Sequence, residues 1–309
     1  GEVVLGTGGA FNRPAVPLST VGGGFGGTSH WMHAVSTPNG RFFVDKKQGL
    51  IFQSQDGLKP ISNFLSVNYK SSIPLILNDG IRIGSEPKRS RVFIRLGDEV
   101  YSFSTASGLF ISRHDYIPRW MSSHGPNMFS QKELNSIGND GVFLHSEGYN
   151  GMFYGIQRQS YITLVVNMAP HKSKGFKAIE LVTSVTGSTG LNEAFNTFDA
   201  LEIWNQEQYT GLIDMTVKSN VFQPEGIMEV LVSRVRNNFR LSIPRNIVAN
   251  PNLSIFDTSN HLQLKTDTVK AKWLDKIRGN FVHIKLINNN NESTLKLENA
   301  CVIISENNR

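Results

Sequence analysis

Phe43, Phe93 and Phe143 recur fifty residues apart, each within a short apolar run that leads through a glycine turn into a second run. The first unit reads Arg41-Phe42-Phe43-Val44-Asp45, then Gly49, then Leu50-Ile51-Phe52. The second reads Arg91-Val92-Phe93-Ile94-Arg95, then Gly97, then Val100-Tyr101-Ser102-Phe103. The third reads Gly141-Val142-Phe143-Leu144-His145, then Gly148 and Gly151, then Met152-Phe153-Tyr154-Gly155. A recurrence of this length, with paired strands in each unit, has the spacing of β-propeller blades. A blade cannot cover both of its faces alone and needs neighbours. Three units fall short of the roughly four to eight blades that close a ring. The chain therefore reads as part of a larger assembly.

Composition supports a chain of short strands. Of 309 residues, 28 are glycine and 19 phenylalanine, against 18% charged. Glycine supplies the positive φ of tight turns, and aromatic side chains pack well on pleated surfaces. The one cysteine, Cys301, excludes an intrachain disulfide and a cysteine-rich zinc cluster. It stands in the apolar run Ala300-Cys301-Val302-Ile303-Ile304, where a buried small hydrophobe is the simplest reading. No run approaches the roughly 18 apolar residues that span a bilayer. No basic segment precedes an apolar core at the N-terminus, so no signal peptide is expected. Because the chain opens at Gly1, a processing product or an excerpt of a longer polypeptide is expected.

Net charge is +6, with basic groups at Lys88-Arg89-Arg91, at His171-Lys172-Lys174-Lys177 and at Lys270-Lys272-Lys276-Arg278. Such a balance suits contact with nucleic acid or an acidic surface. Scattered lysines also protect loops and strand edges, and this is the simpler account.

The break in composition at Pro170-His171-Lys172-Ser173-Lys174-Gly175 divides the chain into propeller blades over 1–169 and a second domain over 170–309. The glycine-rich first thirty residues read as extended loop with one strand at Val3–Leu5. In the second domain Ala178–Val185, Leu212–Val217, Met228–Val235, Phe239–Ile243, Phe281–Leu286, Leu295–Leu297 and Val302–Ile304 read as strands of an antiparallel β-sandwich. Leu191 to Trp204 carries both a helical stripe and the alternation Leu201-Glu202-Ile203, so a helical piece leading into a strand is expected. The fold class is all-β: a partial propeller followed by a sandwich.

Few residues argue for chemistry. Gly22-Gly23-Gly24-Phe25-Gly26-Gly27-Thr28 lacks the lysine of a phosphate-binding loop and the strand-to-helix context of a dinucleotide fingerprint. His30 and His33 would need further ligands to hold zinc. Asp45, Asp56, Asp98, Asp115 and Asp140 stand near turns, where carboxylates accept backbone hydrogen bonds. A glycosidase would need two carboxylates facing one cleft, and nothing singles out a pair. Ser112-Arg113-His114-Asp115 puts triad residue types side by side, whereas triads are assembled from separate loops. Trp31, Tyr116, Trp120 and Trp204 could stack on sugars or bases, yet aromatics at strand ends more commonly fill cores or interfaces. No catalytic, cofactor or metal residue is assigned, and no cofactor.

Four stretches together carry a resemblance. They are Phe42-Phe43-Val44-Asp45-Lys46-Lys47-Gln48-Gly49 with Gly57-Leu58-Lys59-Pro60-Ile61-Ser62, and Ser102-Phe103-Ser104 with Ser112-Arg113-His114-Asp115-Tyr116-Ile117-Pro118. Gly175-Phe176-Lys177-Ala178-Ile179-Glu180 with Asn205-Gln206-Glu207-Gln208-Tyr209-Thr210-Gly211 follows. Last come Phe239-Arg240-Leu241-Ser242-Ile243-Pro244-Arg245 and Lys276-Ile277-Arg278-Gly279-Asn280-Phe281. In order and spacing they resemble the tail nozzle proteins of short-tailed bacteriophages, most closely the muzzle proteins of crAss-like phages. The resemblance implies a virion structural protein and no enzyme: a subunit of a homo-hexameric tube at the distal tail end, through which DNA leaves without being read. It implies, as partners, an upstream part of the same polypeptide, other tail proteins and the host cell surface. A glycan-binding or glycan-cleaving propeller using Asp45, Asp115, Tyr116 and Trp120 is the alternative.

Overall fold

The structure, a computed structural model, describes residues 26–55, 57–62, 67–134, 138–193, 196–206, 208–215, 228–229, 232–235, 238–243 and 276–306. The expected strand at Val3–Leu5, the glycine run as far as Phe25, Asp56, Lys270 and Lys272 lie outside them. Strands dominate throughout, in several antiparallel sheets, none closed on itself. Among the described residues no helix is long and apolar enough to cross a membrane. The chain divides into two compact units, Gly1–Glu147 with Phe153–Ile156, and Gly148–Met152 with Gln157–Arg309.

The first unit holds two four-stranded meanders and a three-stranded one. Sheet one runs β1 (Ala34–Thr37), β2 (Gly40–Asp45), β3 (Leu50–Ser54) and β4 (Leu58–Pro60), each paired with the next. Sheet two runs β5 (Ile81–Glu86), β6 (Arg91–Leu96), β7 (Glu99–Ser104) and β8 (Leu109–His114) in the same way. Sheet three is β9 (Pro118–His124), β10 (Asn127–Lys132) and β11 (Val142–Leu144). The hairpin β12 (Met152–Phe153) and β13 (Ile156–Gln157) follows.

Runs such as Phe42-Phe43-Val44 are apolar without alternation because both faces of these sheets are covered. Phe42, Val44 and Ile51 of sheet one share a core with Ile81, Ile83, Val92, Ile94 and Phe103 of sheet two. Phe43, Phe52 and Leu58 form a separate cluster on the opposite face of sheet one. On sheet two, Phe93 and Val100 turn the other way and join Tyr116, Met128 and Tyr154.

This arrangement corrects the fifty-residue equivalence. Phe43 and Phe93 both occupy second strands but point to opposite sides: Phe43 away from sheet two, Phe93 toward sheet three. Side chains alternate along a strand, so an offset of one residue exchanges the faces. Phe143 lies on β11, a third strand, and the second-strand position of its sheet belongs to β10. Met152–Phe153 pairs only with the next hairpin leg, and the apolar run after it leaves this unit altogether. The structure thus repeats its meander twice in full, with a shortened third copy.

The second unit begins with that run, β14 (Ser160–Val166), followed by β15 (Lys174–Thr186), β16 (Ala200–Trp204), β17 (Tyr209–Asp214), β18 (Met228–Glu229) and β19 (Val232–Val235). β20 (Asn238–Ser242), β21 (Arg278–Gly279), β22 (Val282–Asn288) and β23 (Thr294–Glu306) complete it. One sheet has the order β14-β22-β16-β17-β18, and the other β19-β20-β15-β21 with β23 also on β15. Leu201, Ile203, Ile213, Val282, Ile284 and Leu286 of the first sheet meet Phe176, Ile179, Leu181, Phe239 and Leu241 of the second in one core. Between Leu191 and Ala200 the described residues form a bridge and turns, not the expected helical piece; the strand alternation prevails over β16. Lys174, grouped above with surface cations, is 1% exposed. Its ammonium donates to the carbonyls of Ala169 (3.0 Å), Lys172 (3.3 Å) and Asn280 (2.6 Å), which satisfies all three of its hydrogens.

Candidate functional site

In the first unit the leading strands of successive sheets lie against one another, β1 beside β5 and β5 beside β9. They are joined by side chains rather than by a ladder. Arg82 Nε donates to the Arg119 carbonyl at 2.7 Å, and its Nη1 donates to the carbonyls of Asn78 (2.9 Å) and Ile81 (2.7 Å). Ser85 Oγ lies 2.9 Å from Ser123 Oγ, which also donates to the Ser85 carbonyl. A Cβ on Gly84 would stand 2.5 Å from Met121 Cβ, so glycine is required by the close approach of β5 to β9. Arg95 fastens sheet two to sheet three: Nε to the Gly97 carbonyl, and Nη1 to the Pro118 carbonyl (2.8 Å) and Glu133 Oε2 (2.5 Å).

Beyond this seam sits an aromatic pocket. Tyr116, 1% exposed, stacks on Phe153 with centroids 4.4 Å apart and meets Tyr154 edge-on. His114 and His145 approach the Tyr116 ring at 5.3 and 5.6 Å. His114 Nε2 lies 3.1 Å from Ser102 Oγ, and Ser130 Oγ lies between His145 Nε2 (2.5 Å) and Tyr154 Oη (2.8 Å). Burial holds both imidazoles down at about 4, with Arg91 adding to the effect on His114 while Asp115 opposes it. Both rings are therefore neutral at neutral pH. Burial also raises Tyr116 strongly, and Tyr154 to about 12. The Ser102, Ser130 and Tyr154 hydroxyls are tied to neighbours, whereas Tyr116 Oη is buried with no hydrogen-bond partner among the described residues.

The residues weighed earlier fall into place around these features. Asp45 caps its own turn, accepting from Gln48 N and Gln48 Nε2, and also from Gly27 N at 3.0 Å. Asp140 is exposed and paired with Lys132; Asp98 and Asp115 are exposed as well. In the Ser112–Asp115 stretch, His114 binds Ser102, not Ser112, and Arg113 pairs with Glu99 at 2.6 Å. His33 is fully buried, and its Nε2 lies 3.0 Å from the Asn78 carbonyl. Its ring is 4.7 Å from that of His30, whose Nδ1 accepts from Met32 N. Burial lowers His33, against its bond to Asn78. Trp31 is 77% exposed, and Trp120 Nε1 donates to Gln131 Oε1. Trp204 stacks on His283 at 5.2 Å in the second unit. Among the described residues no three of His, Cys, Asp and Glu come together as a metal would require. Of the residues that a glycan-active propeller would use, Asp45 and Tyr116 are buried and engaged, so they line no open cleft among the described residues.

Sequence reasoning missed Arg82, Arg95, Ser130 and His145. A basic residue at alternate positions of an otherwise apolar strand was the available signal, because a buried cation requires a fixed set of acceptors. The four stretches quoted above bear on other positions.

Residues 148–246 match the family model of the Crassvirus muzzle protein C-terminal domain. No curated protein matches the chain. The matched segment runs through β14 to β20, including most of the second unit's core strands. That segment supports a crassvirus muzzle protein C-terminal part, and with it a structural component of the virion tail.

Proposed function

We propose that this chain is a subunit of a homo-hexameric tube at the distal end of a short phage tail, through which the genome leaves. The observation that carries this reading is the muzzle-domain match over residues 148–246. Two features of the fold support it. The meanders of the first unit lie with their leading strands side by side, which is how propeller blades surround an axis. The second unit has two sheets facing across one core, as a sandwich-type nozzle domain would. On this reading residues upstream in the same polypeptide supply the remaining blades, and the propeller ring closes only with them.

The role is mechanical. A tube that lets DNA slide must hold it weakly, since many phosphate contacts give tight, salt-dependent binding. Base readout needs side chains that enter a groove, which a smooth wall does not offer. Contact with the host surface at the tail's end belongs to the same reading.

Purified particles labelled with antibody against the second unit test it by electron microscopy. Label at the tip of the tail is the expected result. Label on the capsid, or on no particle at all, overturns the proposal.

A further inference from the structure

β14 has the composition of a central strand but stands at the edge of its sheet. Its sequence, Ser160-Tyr161-Ile162-Thr163-Leu164-Val165-Val166, contains no charge, proline or glycine, and its register with β22 runs without a bulge. Edge strands normally carry lysine, proline or a bulge, because bare backbone donors and acceptors template pairing with another strand. Here both faces also stay open: Tyr161 is 51% and Val165 59% exposed on one side, and Ile162 41% on the core side. Among the described residues β14 pairs with β22 alone, and only Leu164 and Val166 of its side chains pack on the core.

The second unit offers one other fully described edge of the same character. β23 pairs with β15 and is the outer strand on that side. Its first half is guarded by Lys296 and Glu298, which pair with each other at 3.5 Å. Its second half, Ala300-Cys301-Val302-Ile303-Ile304-Ser305, is uncharged.

We propose that β14 of one copy adds antiparallel to the second half of β23 of the next copy. This rests on the tube reading above and names the contact that would join its subunits. The pairing follows from the faces. Leu164 and Val166 on β14, and Ala300, Val302 and Ile304 on β23, all turn toward the core. Only a register of even parity keeps both sets on the same side, since a shift of one would turn one set outward. Setting Ile162 opposite Ile304, Leu164 opposite Val302 and Val166 opposite Ala300 does so, and brings Val165 opposite the exposed Cys301. Apolar and β-branched cross-strand pairs of this kind are favourable, and no charges are apposed. The two edges are different surfaces, so the contact is head-to-tail, the kind that closes cyclic rings and keeps a tail's polarity.

Two variants of the whole chain test this. In Val165→Cys, a short bismaleimide should link that residue to Cys301 of the neighbour and give a ladder of covalent multimers on denaturing gels; adding Cys301→Ser should abolish it. Thr163→Lys with Val165→Lys places two charges on the outward row without touching the core. The concentration for half-assembly, read by light scattering, should rise by at least roughly tenfold, with circular dichroism unchanged. An oligomer that survives the lysines and yields no cross-linked multimers overturns the strand pairing and leaves the tube reading standing. A chain that is monomeric at every concentration overturns both.

Discussion

The two units stabilise their strands by different means. Among the described residues the second buries one large, almost wholly hydrocarbon cluster between two sheets, with charged groups such as Lys174 and the Lys285–Glu202 pair engaged around it. The first spreads its apolar residues over several smaller clusters and fills the gaps with polar machinery: Arg82, Arg95, the Ser85–Ser123 contact, and the His114–His145 pocket. Where leading strands of successive sheets meet through side chains and not a ladder, gaps are left between the sheets. Arginine reaching several carbonyls fills such a gap while satisfying the backbone at the strand ends. The consequence is that the first unit should respond to protons, and the second should not.

Acid provides the largest contrast. An ordinary imidazole titrates near 6.5, while His114 and His145 are held at about 4 in the folded chain. Between those values the unfolded chain binds more protons than the folded one. The stability is therefore complete above roughly pH 6.5 and is lost progressively as the pH falls toward 4. At ~1.4 kcal/mol per pH unit, and discounting for residual solvent, each ring accounts for about 2–3 kcal/mol. In the second unit burial lowers His283 too, but that half-buried ring, stacked on Trp204, is a single group outside the core. Hydrogen exchange followed by mass spectrometry at pH 7.5 and pH 4.5 should show peptides from β6 to β10 losing protection while those from β15, β16 and β22 keep theirs. Equal loss in both units would remove the distinction, and replacing His114 and His145 by glutamine should remove most of the acid response of the first, leaving the part that belongs to buried His33.

What could be read from the residues differs between the units for a related reason. The paired strands, the glycine turns and the all-β class were legible, because Phe42-Phe43-Val44 and Arg91–Leu96 carry strand composition and Gly49 and Gly97 mark the turns. Which way each side chain points was not. Phe43 and Phe93 look equivalent in sequence, but β1 and β5 enter their sheets with different offsets, so matching letters fall on opposite faces. The third repeat misled because Gly141–His145 does have a strand, while its neighbours come from β9 and β10, whose polar residues gave no periodic signal. The pocket was hidden for the same reason. His145 and Ser130 lie 15 residues apart, in the surroundings of different strands, and nothing local marks Ser130 as buried.

Arg95 is the next test. Its side chain is 7% exposed and holds Gly97, Pro118 and Glu133 together across two sheets. Arg95→Met keeps the aliphatic stem but strands two carbonyls and a partly buried carboxylate, at a cost of about 3 kcal/mol. Chemical denaturation should show that loss in the first unit's transition. A loss under 1 kcal/mol would mean that the seam is held by packing alone.

Gly84→Ala probes the same seam through shape. The added methyl would overlap Met121, and overpacking of this kind costs about 2 kcal/mol when the backbone cannot retreat. Gly84→Ala with Met121→Ala should recover part of the loss, because the second change removes the atoms in collision. Failure of that rescue would indicate that β5 and β9 are kept in contact by something other than the fit of these two residues.

The smallest effect is expected on the second unit's outward face, where Lys285 pairs with Glu202 at 3.3 Å and lies 4.7 Å from the Tyr161 ring centroid. These groups are about three-quarters buried or less, and they form a network that resembles the first unit's seam on paper. The difference lies in the alternative available to each partner. If Lys285→Met removes the ammonium, Glu202 still receives the Tyr209 hydroxyl at 3.2 Å and can turn to water, whereas the buried Pro118 carbonyl bound by Arg95 cannot. The substitution should therefore change stability by less than about 1 kcal/mol and leave the midpoint nearly independent of salt. A loss as large as that at Arg95 would show that the outward face is as dependent on fixed charge as the seam, and that the two units are built alike after all.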